Sequence, residues 1–99
     1  MKREKYLPIG SVVLLKDAKK RVMITGFVVK ANKDEEKYFD YVGCVYPEGM
    51  ISSKQILFNH EQIDKLFYIG FADLEEQMFK EKLNEIVKKI DNHEELENN

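Results

Sequence analysis

The sequence predicts an α+β fold: a small, strongly bent antiparallel sheet or SH3-like barrel of about five strands, followed by one long C-terminal helix. Three observations carry this expectation. Short runs rich in β-branched and aromatic residues, broken by Gly, Pro and charged turns, fill the chain as far as residue 71. From Asp73 onward the apolar residues recur at helical rather than alternating spacing. Between them, Asn59-His60-Glu61-Gln62 has the form of a capping box, which marks a one-turn helix just before the last strand. That order, five short strands with a single turn before the fifth, is the order of small SH3-like barrels.

Each element has its own signal. Pro8 and Gly10 introduce the β-branched run Ser11 to Leu15, predicting a strand near 10–16, and Asp17 to Lys20 is turn chemistry. Arg21 to Val29 predicts a strand over 21–30. Strict alternation puts Val22, Ile24, Gly26 and Val28 on one face and Met23, Thr25, Phe27 and Val29 on the other. Gly26 within that strand marks a bulge or a sharp bend. The charged stretch 31–37 is a loop, and Tyr38 to Tyr46 forms a third strand stopped by Pro47. Shorter strands are expected near 55–58 and 65–70. Asp73 with Glu76 is a second capping box, opening a helix over 73–91. Leu74, Met78, Phe79, Leu83, Ile86, Val87 and Ile90 form its apolar stripe, Glu76 and Lys80 lie one turn apart, and Lys88-Lys89 fall in its expected last turn. Residues 92–99 are an acidic string with little to bury and are expected to be disordered. The expected core is Val12, Leu14, Val22, Ile24, Val28, Val42, Ile63, Leu66, Leu83 and Ile86.

Ninety-nine residues allow a single domain, 1–91, β-rich over 8–71. The formal charge is −2, which removes any overall electrostatic case for nucleic acid or anionic lipid, although residues 1–72 carry +3 and residues 73–99 carry −5. Cys44 is the one cysteine, so no intramolecular disulfide forms, as fits a reducing compartment. Continuous apolar runs such as Val12 to Leu15 reach only four residues, far below the ~20 that span a bilayer. The first eight residues lack the apolar stretch of a signal peptide. A cytoplasmic protein without membrane contact is the expectation.

Candidate chemistry is sparse. Cys44 beside Gly43 in a β run has the setting of a buried, inert thiol, and a Cys44–His60 dyad has no third group to orient it. His93 lies in the acidic tail. The carboxylates Asp34, Glu35 and Glu36 form a solvated charged loop that matches neither a calcium loop nor a zinc cluster. The five glycines are scattered, so no phosphate-cradling loop exists. The sequence therefore predicts no enzyme, no cofactor and no metal. Nucleic-acid binding would need a contiguous basic surface from Lys16, Lys19, Lys20, Arg21 and Lys30. Glu35, Glu36 and Asp40 instead flank the aromatics Tyr38, Phe39 and Tyr41, an arrangement that repels phosphate.

Protein binding is the better expectation. Eleven aromatics are a generous supply for so small a core. On the strands, the alternates of the core face, among them Phe27 and Tyr46, point outward unless the helix covers them. On the helix, Ile86, Val87 and Ile90 either run past the sheet to meet another protein or are buried within the monomer. Phe27, Tyr46, Ile86, Val87 and Ile90 are the candidate partner-binding residues, for a secreted toxin or a second copy of the chain.

Three blocks carry a resemblance: Tyr6-Leu7-Pro8-Ile9-Gly10-Ser11-Val12-Val13, Tyr41-Val42-Gly43-Cys44-Val45-Tyr46-Pro47-Glu48-Gly49 and Phe58-Asn59-His60-Glu61-Gln62-Ile63-Asp64. The chain, over about residues 6–72, resembles a small family of unknown function from Gram-positive bacteria (Firmicutes). That family is encoded beside type VII secretion genes, with WXG-type helical proteins and LXG polymorphic toxins as neighbours. The resemblance implies a cytoplasmic accessory protein, a chaperone or adaptor that binds an LXG toxin before export. The blocks themselves look structural: glycines at turns, Pro47 ending a strand and Asn59 as a cap.

Overall fold

The computed structural model describes residues 6–34 and 36–98. Glu35 of the charged loop, the N-terminal residues 1–5 and Asn99 lie outside the described residues. The strands are β1 (Val12–Leu15), β2 (Val22–Lys30), β3 (Tyr38–Val45), β4 (Ile56–Phe58) and β5 (Ile63–Tyr68), with a 3-10 turn at His60–Gln62. Helix α1 spans Leu74–Asn98. Two compact units result, the sheet unit Leu7–Phe71 and the unit that holds α1.

All pairings in the sheet are antiparallel, in the order β4-β3-β2-β1-β5. β1 to β4 form a meander, and β5 returns to pair with β1. β4 and β5 are the two edges, so the sheet is not closed, and of the two expected architectures the bent open sheet is the one adopted. The turn at His60 sits directly before β5, as the capping box required: Gln62 Oε1 accepts from Asn59 N–H at 2.7 Å. Asn59 Oδ1 accepts from Asp40 N–H at 3.1 Å, which ties this turn to β3.

Directly paired residues of an antiparallel ladder share a face. Val13, Val22, Ile24 and Gly43 therefore lie on one face, continued by Tyr41 and Phe58. Val13, Ile24, Tyr41 and Phe58 are fully buried there, so this face is the core. The opposite face carries Val12, Met23, Cys44 and Tyr68.

Strict alternation fails along β2. The register with β3 shifts between Ile24 and Gly26, a bulge at Thr25. Beyond it Phe27 pairs with Tyr41 and Val29 with Phe39, so both move to the core face rather than staying with Met23. Gly26 permits the bend, because a Cβ there would lie 2.7 Å from Val42 Cγ1. Val28, expected in the core, is only half-buried and holds φ at 50°, a strained conformation for a β-branched residue.

Two further core expectations are corrected. Leu66 faces the core side opposite Val13 but is 45% exposed, because β5 is an edge with no strand beyond it. Ile86 is 51% exposed, whereas Leu83 is buried. At ~100° per residue the seven apolar positions of α1 do not form one stripe, since Leu74 lies about opposite Leu83 and Met78 ~140° from it. Both are exposed. Val12, Val22, Ile24, Val42 and Leu83 are buried as expected, and Leu14 and Ile63 are half-buried.

Helix α1 opens as its capping residues dictate: Glu76 N–H donates to Asp73 Oδ1 at 3.0 Å, and Gln77 N–H to the Asp73 carbonyl at 3.0 Å. Lys80 Nζ lies 2.9 Å from Glu76 Oε2. The helix continues past the expected end at Asp91, so Lys88 and Lys89 are not in its last turn. No Gly or Pro follows Asp91 to terminate it.

Candidate binding groove

The face opposite the core holds an open groove of about 480 Å³. Four segments build it. Val12 of β1 and Met23 of β2, directly paired, form its floor, with Gly10 at one end. Arg21 precedes β2, and Tyr46 follows β3; Tyr46 N–H donates to the Arg21 carbonyl at 2.9 Å, which sets the two side chains next to one another. Phe67 and Tyr68 of β5 complete the wall.

A second bulge brings the β5 residues in. Val12 pairs with Tyr68 but Val13 with Leu66, leaving Phe67 as the extra residue. Neighbours on a regular strand point to opposite faces, whereas here both Phe67 and Tyr68 line the groove. They are 53% and 62% exposed, against 37% for Tyr46.

Arg21 is the one charged side chain in the groove wall. Its guanidinium carbon lies over the Tyr46 ring, 5.1 Å from the centroid, and over the Phe67 ring, 5.4 Å from that centroid. Both are within cation–π range. Among the described residues no carboxylate pairs with it; the described ion pairs belong to Lys20 and Lys80. Lys20 Nζ is 2.7 Å from Glu48 Oε1, and this bond holds the Glu48 carboxyl below its usual range. Lys30 lies over its neighbour ring, Tyr38, at 5.0 Å. Lys20, Arg21 and Lys30 are thus divided between an ion pair and separate aromatic faces.

Of the candidate partner-binding residues, Tyr46 lies in this groove. Phe27 does not: the Thr25 bulge turns it to the core face, where its ring centroid is 6.0 Å from that of Tyr41. Ile86, Val87 and Ile90 belong to the helical unit, where Ile86 is exposed and the other two are half-buried. Sequence reasoning took Arg21 as one charge of a basic turn and missed Phe67 and Tyr68. The available signal was the unbroken run Leu66-Phe67-Tyr68-Ile69, which on any strand must leave large apolar side chains on both faces.

The remaining polar candidates are tied into the fold. His60 Nδ1 is 2.8 Å from the Tyr41 hydroxyl, and His60 N–H donates to Asp40 Oδ2 at 2.9 Å. Cys44 is a free thiol, buried beside Met23. Among the described residues no group of three His, Cys, Asp or Glu could hold a metal ion, and no helix is long and apolar enough to cross a membrane.

The family described as Domain of unknown function (DUF4176) matches residues 6–79, which includes every segment of the groove. An uncharacterized protein of Listeria innocua is 27% identical over 100 residues, covering 91% of this chain. The chain spans only 22% of that relative's length. No solved structure matches significantly.

Proposed function

The chain belongs to the DUF4176 family of unknown function, and on that premise we propose that it is a non-enzymatic binding protein, a cytoplasmic chaperone or adaptor that receives a protein partner. In the setting that the sequence resemblance implies, the partner is an LXG toxin held before export through type VII secretion. The single observation that carries this reading is the groove: three exposed aromatic side chains, one just after β3 and two from β5, converge on an apolar floor, with one arginine among them. Exposed rings of this kind are the usual anchors of a protein interface.

Co-expression with the neighbouring LXG toxin gene tests the reading. Stable co-purification of the toxin is expected. A chain that leaves the toxin behind and instead shifts RNA with a steep salt dependence overturns it in favour of a nucleic-acid-binding sheet.

A further inference from the structure

Resting on that reading, we infer that the groove is a receptor for an acidic segment of the partner that also carries apolar residues, with one carboxylate bound to Arg21 and an apolar side chain seated over Val12 and Met23. Charge complementarity carries the choice of occupant. Arg21 stands over two rings, Tyr46 and Phe67, and no described carboxylate neutralises it. A guanidinium carries five N–H donors, and a ring face offers them no oxygen acceptor, so they can still bond an incoming one. A carboxylate takes two such bonds at once. The two ring contacts also hold the long side chain in place before the partner arrives, which lowers the entropy lost on binding.

Other occupants fit less well. A nucleic-acid strand needs several cations along its path, whereas the neighbouring Lys20 is spent on Glu48 and the groove wall holds one arginine. A wholly apolar segment would leave the guanidinium covered without an acceptor, which is unfavourable. An apolar segment with a carboxylate satisfies both the floor and the wall.

The test is a titration of isotope-labelled full-length protein with a short synthetic peptide of Leu-Glu-Glu-Leu repeats, followed by amide chemical shifts. A matching peptide with Gln in place of Glu serves as control. The acidic peptide is expected to move the signals of Gly10, Met23, Phe67 and Tyr68, and the Gln peptide to bind about tenfold more weakly or not at all. Arg21→Gln and Phe67→Ala should each weaken the acidic peptide about tenfold while the protein stays folded, with a dispersed amide spectrum and a cooperative melt. Arg21→Lys should recover only part of the binding, because an ammonium lacks the planar fork.

Equal binding of the two peptides, or binding undiminished by Arg21→Gln, overturns the inference. So does oligouridylate moving the same signals in place of the peptide, or self-association of the free protein that Arg21→Gln abolishes. The two readings fail separately. Peptide binding without toxin capture leaves the groove chemistry standing and removes the toxin. Toxin capture undiminished by Arg21→Gln leaves the chaperone reading and removes this site.

Discussion

The Tyr41 hydroxyl and His60 Nδ1 lie 2.8 Å apart, and the same hydroxyl accepts the Leu7 N–H at 3.0 Å. A phenol has one proton. Its oxygen also has two lone pairs, so it takes the Leu7 proton and still bonds Nδ1, with the His60 tautomer setting which of the two donates. One hydroxyl thus joins β3, the segment before β1 and the 3-10 turn before β5.

Tyr41→Phe is expected to lower stability by about 1–2 kcal/mol, since two polar partners lose their bond while the ring contacts with Phe58 and Phe27 survive. Tyr41→Ala removes those contacts too and should cost about 3–5 kcal/mol. Urea unfolding of the three proteins checks both values.

Burial pushes the Tyr41 hydroxyl up from 10.0 to about 12, with Asp40 adding to the rise and the Leu7 bond opposing it. The folded state therefore holds this proton more tightly than the unfolded chain. Its contribution is complete below pH 10 and is lost as pH rises from there toward about 12. The urea midpoint of the wild type should fall more steeply across that window than that of Tyr41→Phe, which shares the other four tyrosines. Parallel curves would refute the assignment.

A Cβ at Gly70 would collide with the Ile9 carbonyl oxygen, and Gly70 N–H donates to the buried Ser11 hydroxyl at 2.9 Å. Gly70→Ala must displace backbone and is expected to destabilise by about 2 kcal/mol or more, shifting the Gly10 signal at the end of the groove. Gly49, with φ of 80° but open space around it, should cost only about 1 kcal/mol as Ala. Denaturation midpoints with amide spectra distinguish the two.

Asp73→Ala removes the acceptor for Glu76 N–H and should cost about 1 kcal/mol of helix stability. Far-ultraviolet circular dichroism should show reduced helicity, and Asp73→Asn or Asp73→Ser should restore most of it.

What the sequence by itself determined is what depends on neighbours along the chain. The five strands, the turn before the last of them and the start of α1 follow from β-branched runs, Asn59 with Gln62, and Asp73 with Glu76. Gly26 even marked the place of the bulge. The tertiary structure alone decided which face each side chain occupies beyond a bulge, because one inserted residue reverses the parity of everything after it. That reversal turns Phe27 to the core face and brings Phe67 beside Tyr68. It also decided the convergence of Arg21, Tyr46 and Phe67, which come from three separate segments and meet only when β1, β2, β3 and β5 are paired. Local chemistry has no term for such a meeting; cross-strand register supplies it.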